Sequence, residues 1–403
     1  MATSVEELLG VIIIGGGICG LATALALHRN GINSLVLERA ETLRATGAGI
    51  SIQVNGWRAL DQLEVGDELR KLSMPLSGMD KREIHGTGTV KVSYRTEVRC
   101  LKRSDLLQTL AKELPAGSIR FGCQVEGISL EPITRSPIVS TSDGTAIKAK
   151  LLIGCDGSNS VVAKFLGLKA VKPLPMWAAR GFATYAEGHN YGDRFQQLIG
   201  DGINFRVIPV DDKVVSFNAI QLQPPKECAN IRDVQLIQKV TLQAMQGFPE
   251  EIIDLVRCCD IASLSLTQLC YRAPWHMAFA KFQQDTVTVA GDAMHVMGPF
   301  LGQGGSCGLE DAVVLARCLA KTMPDEGFSN AAGDRKLGKS IEEALKCYVK
   351  ERRRRILVLS FQTFLMGMTV AAPSGMKKVL ISAVMAVFFR NKYKHTDYNC
   401  GSL

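Results

Sequence analysis

"VIIIGGGICG", Val11–Gly20, decides how the rest of the chain is read. Four aliphatic residues without polar alternation are the pattern of a strand buried on both faces of a parallel sheet. They run straight into Gly15-x-Gly17-x-x-Gly20. In such a run the first glycine permits a tight turn and the second lets backbone approach a pyrophosphate. The third lets helix and strand pack closely. The Ala- and Leu-rich residues that follow, closed by Gly31, read as a helix with a glycine stop, and "SLVLERA" reads as a second strand. The helix would offer free N–H groups and its positive end to phosphates. Glu38 ends the second strand 18 residues beyond Gly20, with Arg39 next to it. A carboxylate there accepts hydrogen bonds from a ribose diol and disfavours a 2′-phosphate. The unit is β-α-β and the ligand it predicts is a dinucleotide.

Outward from this unit, "RSDLLQTLAKELP" (Arg103–Pro115) reads as a helix ended by proline, and "KAKLLIGCDGSNS" as a strand breaking into a turn. Residues 177–223 alternate and carry turn pairs such as Gly192-Asp193 and Asp201-Gly202, the mark of antiparallel strands. "DTVTVAGDAMHVMGPFLGQGGSCGLEDAVVLARCLA" returns to strand, loop and helix. A parallel α/β domain is therefore expected in three pieces, with a β-rich insertion and a helical tail. A chain of 403 residues, 46% apolar and 21% charged, can bury a large core and has the composition of a globular enzyme.

The net charge of +8 is uneven. From Lys346 to Leu403 eleven Lys and Arg face only Glu351 and Asp397, so the body before them is close to neutral and is no nucleic-acid binder by charge. Ile356–Ala372 and Val379–Phe389 are mostly apolar, but a membrane span wants about 20 apolar residues. They read first as helices packed on the body and second as a peripheral membrane contact helped by basic flanks. Twelve cysteines without a C-x-x-C pair read as reduced thiols, and the six histidines show no ligand spacing, so no metal is expected. With no targeting pattern in the ten residues before Val11, a cytoplasmic protein is expected. His295 is expected to make a structural hydrogen bond.

A second glycine-rich block, "GDAMHVMGPFLGQGG" (Gly291–Gly305), places Asp292 at a strand end ahead of a helix. Two such sites suit one long dinucleotide. FAD can set its adenosine and pyrophosphate in the first and its ribityl chain and ring in the second. "GGGICG" with "LER", "CDGSNS" and "GDAMHVMGPFLGQGGSCGLEDA" together resemble the FAD-dependent monooxygenases of the 4-hydroxybenzoate hydroxylase type, the group A aromatic hydroxylases, over roughly residues 11–355. The wording is most similar to a plant branch. The resemblance implies that Gly15, Gly17, Ile18, Cys19 and Gly20 line the pyrophosphate, that Glu38 and Arg39 lie at the adenosine, and that Val125 touches adenine. It further implies Gly49 and Ile50 near the flavin, Arg103 on the FAD chain, and Asp156 and Gly157 as the middle motif. Asp292 would take ribityl hydroxyls, and Pro299, Gly302, Gly304 and Gly305 would face the isoalloxazine. Arg180 and Arg206 are the substrate-side candidates for a carboxylate or phenolate.

The implied fold is a Rossmann-like FAD-binding domain (1–75, 98–172 and 280–345), an inserted, mostly antiparallel β-sheet substrate domain (76–97 and 173–279), and a basic, apolar helical tail (346–403). The implied reaction inserts one oxygen atom of O2 into a phenolic or aromatic-acid small molecule through a flavin 4a-hydroperoxide, with NADPH or NADH as reductant and no protein nucleophile. Epoxidation of an olefin or isoprenoid on the same fold, or a flavin-binding regulatory protein without this activity, are the alternatives. One departure bears on the reductant: Ala163 stands where the middle motif usually carries arginine, and Lys164, one residue on, would point about 100° away around the helix.

Overall fold

Val5–Ile14 lies inside a sheet, hydrogen-bonded in parallel to Ala146–Gly154 on one side and to Ser34–Leu37 on the other. Val287–Val289 and Ile119–Arg120 continue the parallel pairing outward. A strand with neighbours on both sides and cover on both faces must be apolar throughout, and Val11–Ile14 are all buried. This computed structural model describes residues 5–43, 49–222, 233–322, 334–371, 383 and 394–403. The first strand starts six residues earlier than the aliphatic run suggests. Its neighbour Ala146–Gly154 is nine residues long and keeps pairing back to Val5, across an irregularity between Glu6 and Leu9.

The second sheet has seven strands in the order Ser265–Tyr271, Lys172–Thr184, Val214–Gln221, Ile203–Pro209, Arg194–Gly200, Gly78–Glu83, Thr89–Ser93. It is antiparallel except where Arg194–Gly200 meets Gly78–Glu83. One face buries Phe205, Phe217 and Ala219 against Ile237, Ile252 and Leu255 of the helices Val234–Ala244 and Glu250–Arg257. Those two helices, within a stretch read as β-rich, supply the apolar cover that an alternating sheet needs on its inner face. The other face turns toward the first sheet and meets a two-stranded ribbon, Gly49–Gln53 with Val98–Lys102. The mixed α/β architecture with its separate, mostly antiparallel sheet is the fold class expected from sequence.

The chain closes with a 38-residue helix, Asp334–Ala371, about 57 Å long at 1.5 Å per residue. It runs through Lys346, where the sequence reading started the tail, and packs on Gly304–Thr322. Residues 394–403 return to the helix Val54–Gln62, where Arg58 donates to the Asp397 carbonyl at 3.0 Å and Leu403 N–H to Gln62 at 3.2 Å. Nearly all of Val379–Phe389 lies outside the described residues. None of the described helices is long and apolar enough to cross a membrane.

Candidate cofactor and substrate site

The turn out of the first strand is made by Gly15 at φ +102°, a conformation that costs glycine nothing. A Cβ there would lie 2.6 Å from the Cys155 carbonyl, so the loop also needs glycine for contact with the neighbouring strand end. Gly17 differs: a Cβ there meets nothing within 4 Å. It caps the helix Ile18–Arg29 and offers no side-chain acceptor to the first-turn N–H groups. Gly20 packs back on the Gly15 carbonyl, and Cys19 lies with its sulfur 3.8 Å from that of Cys155. Glu38 is buried; its carboxylate accepts from Gly16 N–H at 2.6 Å and Ala40 N–H at 2.9 Å, fixing the loop it was expected to serve. Arg39 is exposed beside it. Cys123 N–H donates to the Glu38 carbonyl, which brings Val125 to the same edge. Asp156, next to Gly15, accepts from Val161 N–H through one oxygen and has no partner at the other; burial raises its pKa.

The second glycine-rich block joins the first. Gly291 packs on Cys19, with a Cβ there 2.8 Å from the Cys19 Cβ. Asp292 is exposed, and its carboxylate has no hydrogen-bond partner among the described residues. Gly302 turns the chain at φ +64°, Gly304 opens the helix Gly304–Thr322 with nothing within 4 Å of a Cβ, and Gly305 lies against Ile50. Gly49 approaches Ser216 of the second sheet, and Arg103 follows Lys102, the strand partner of Gly49. An open glycine at two helix starts, a free carboxylate at Asp292 and an orphaned oxygen at Asp156 form a cradle that fits a long dinucleotide. Ala163 is buried in the core, whereas Lys164, the next residue, is exposed.

Behind the cradle runs a buried ionic seam. Arg352 is completely buried, its Nε 2.6 Å from Asp311 and its Nη1 2.8 Å from Glu310. Arg355 adds a second contact to Glu310 at 2.8 Å, and the Tyr398 ring lies 5.0 and 4.9 Å from the two guanidinium carbons. His295 Nε2 is 2.6 Å from Asp311, the structural hydrogen bond expected of it. The seam holds the cradle directly. Asp311 accepts from Gly291 N–H at 2.8 Å, next to Asp292, while Glu310 accepts from Asn55, which donates to Gln303 between Gly302 and Gly304. Burial would push the Asp311 carboxyl up, but His295 and Arg352 outweigh it and hold it at about 2. Burial also opposes the charge on His295; Cys307 and Asp311 nonetheless raise its pKa well above the ordinary value. The sequence reading missed Asn55, Gln303, Glu310, Asp311 and Arg352. The available signal was helical spacing: Tyr348, Arg352, Ile356 and Leu359 share one buried face.

The second sheet turns a polar strip toward the cradle. Cross-strand register sets Arg180 opposite Asn218 and Asn218 opposite Arg206, so all three project from one face. Arg206 donates to the Pro299 carbonyl at 3.1 Å, and Arg180 to Thr267 at 2.9 Å. Neither arginine has a carboxylate partner among the described residues. Burial, and then the charge of Arg180, draws the Arg206 pKa down to about 10. Burial, and then Arg103, lowers that of Arg180. The buried oxygen of Asn218 between them has no donor. Apolar groups flank the strip, with Phe182 and Ile208 on one side and Ile220 and Phe300 on the other.

Three comparisons bear on this geometry. The chain matches the FAD binding domain family over residues 9–331. It is 43% identical over 407 residues to Monooxygenase 1 of Arabidopsis thaliana, covering 98% of this chain and 100% of that one. It is 36% identical over 401 residues to Monooxygenase 2 of the same plant, covering 98% of each. The solved structure of Klebsiella pneumoniae HpxO complexed with FAD and uric acid shares the fold, with a TM-score of 0.78 at 22% identity over 97% of this chain and 96% of that one.

Proposed function

The chain belongs to the FAD-dependent monooxygenases, and from that premise we propose that it oxygenates an anionic aromatic small molecule, with O2 as co-substrate and NADPH or NADH as reductant. What supports the substrate class is the strip Arg180–Asn218–Arg206: two half-buried cations on one sheet face, without a carboxylate partner among the described residues, beside the Pro299 carbonyl. A buried cation without a counter-ion is costly, so the strip favours a ligand that brings a carboxylate or phenolate. The apolar flanks suit the ring and shed water from it. HpxO was solved with uric acid, itself a planar acidic ring.

Bound FAD supplies the redox and oxygen chemistry. The protein's part is to hold and exclude. The N–H groups at the start of Ile18–Arg29 hold the pyrophosphate, Glu38 the adenosine ribose and Asp292 the ribityl hydroxyls. The side-chain-free Gly302, Gly304 and Gly305 leave the ring room against Ile50. Arg206 and Arg180 orient the substrate anion, and no side chain is required as nucleophile. The buried Ala163 supports weak discrimination between NADPH and NADH.

The test is a panel of phenolic and heteroaromatic acids, olefins and quinones under labelled O2, reading NAD(P)H oxidation and product mass together. An acidic ring should accelerate oxidation and emerge labelled. Arg206→Met should raise its KM by about tenfold to a hundredfold, the range for a lost hydrogen bond to a charged group. A labelled olefin product and no labelled aromatic would favour epoxidation. Faster oxidation that yields only hydrogen peroxide for every compound would remove the monooxygenase reading of this chain.

A further inference from the structure

We propose that the exposed side of the C-terminal helix docks the protein on an anionic lipid bilayer. From Lys346 to Met368 the exposed residues other than Cys347 fall on one stripe: Lys346, Lys350, Arg354, Val358, Phe361, Met368. Their spacing is that of a single helix face. The stripe changes character along its length. Its first half is basic. Its second half is apolar, with Val358, Phe361 and Met368 at 46%, 40% and 42% exposure. Beside it the short helix Pro274–Ala278 brings Trp275, 48% exposed, against Phe364, and ends at Phe279, 93% exposed. Between these elements lies a groove of about 840 Å³ lined by Phe279, Lys281, Lys350, Arg354 and Val358, among others.

The charges on this face are unspent. Of Arg352–Arg355, three turn inward: Arg352 and Arg355 to Glu310, and Arg353 to the carbonyls of Met277, Ala278 and Ala280. Arg354 is exposed and, with Lys281 and Lys350, has no acidic partner among the described residues; Lys346 lies 3.6 Å from Glu342. Cations at one end of an apolar, aromatic patch match the depth profile of a bilayer surface, with the apolar end at the acyl boundary and the cations level with the phosphates. A nucleic acid would call for aromatic and basic groups interleaved along the surface, whereas on the helix stripe Lys346, Lys350 and Arg354 all precede Val358, Phe361 and Met368. The chain that leaves the apolar end has the same composition: residues 372–393 combine "VLISAVMAVFF" with Lys377, Lys378, Arg390 and Lys392.

FAD-loaded full-length protein is sedimented with vesicles of phosphatidylcholine alone and of phosphatidylcholine mixed with phosphatidylserine. Co-sedimentation is expected with the second only, and raised salt should release it. Lys350→Ala and Arg354→Ala should each weaken it about fivefold, and Phe279→Ser about tenfold. Flavin absorbance reports that each variant is folded. No binding to the anionic vesicles, or binding that none of the three substitutions reduces, overturns the proposal. So does a dimer in sedimentation velocity that Phe279→Ser dissolves, which would assign the face to a second copy of the chain.

Discussion

Along the helix Gly304–Thr322 the first turn is bare and the second is loaded. Gly304 and Gly305 present no side chain, whereas Glu310 and Asp311 hold two arginines of another helix. The cradle keeps polar groups unspent: an exposed Asp292 carboxylate without a hydrogen-bond partner among the described residues, an orphaned oxygen on Asp156, and a helix start at Gly17 with no side-chain cap. The seam pairs its charges internally. A buried group left unsatisfied costs stability unless a ligand completes it, which fits the Asp156 oxygen; in the seam the ion pairs close on one another, and the buried His295 Nδ1 is left without a hydrogen-bond partner. Cradle substitutions should therefore separate binding from folding, and seam substitutions should not.

The largest effect is expected at Arg352. Arg352→Leu leaves Glu310 and Asp311 facing each other's region without their shared cation, a change that costs about 3–5 kcal/mol for a broken buried pair. Urea unfolding of the apoprotein measures it, and FAD affinity should fall as well because Asp311 and Glu310, which anchor Gly291 and Asn55, lose the cation that positions them. Full stability with lost flavin would place Arg352 in the cradle's class instead. Gly17→Glu should do the reverse. The open space accepts the side chain, so the apoprotein should unfold at an unchanged urea concentration. Its carboxylate about 5 Å from a phosphate costs about 3 kcal/mol at an effective dielectric of about 20, and the protein should be isolated colourless. Asp292→Ala should weaken FAD by about 1.5–3 kcal/mol, read as flavin dissociation, and leave apoprotein stability within about 0.5 kcal/mol.

The smallest effect is set by pH. Asp311 has a folded pKa of about 2, below its ordinary value of about 3.9, so its contribution is complete above about pH 4 and is lost as pH falls toward 2. The loss is at most about 2.6 kcal/mol. His295 carries the opposite sign: its raised pKa adds stability below about 6.5 that is lost as pH rises through the raised value. Unfolding of the apoprotein across the acid window tests the first. Flavin release well before any loss of stability would assign the acid limb to the cradle rather than the seam.

The same contrast explains what the sequence disclosed. Gly15, Gly20, Gly302 and Gly305 are legible because each answers a local backbone demand, a turn or a close approach, whereas Gly17 and Gly304 are legible through the motif spacing and leave open space beside them. Alternation likewise announced the second sheet. The seam joins residues some 40 positions apart, and "RRRR" reads as a solvated basic run until the partner helix is known. Even so, Arg352 follows Tyr348 and precedes Ile356 on one helix face, the fourfold spacing that marks a buried arginine. Arg180 and Arg206 could be named but not joined, because the residue between them, Asn218, becomes their neighbour only through strand register.

The Tyr398 ring against Arg352 and Arg355 has a consequence in time. The glycine loop at Gly15 leaves the ribosome well before Tyr398, a member of the seam that backs the second loop, held in turn by Glu351 at 2.9 Å. A nascent chain paused before that tyrosine emerges carries every loop that touches the flavin and an unfinished wall behind them. On the proposed site, flavin capture would follow the emergence of Tyr398, and a block on the C-terminal segment would act on a nucleotide held more than 300 residues earlier in the chain.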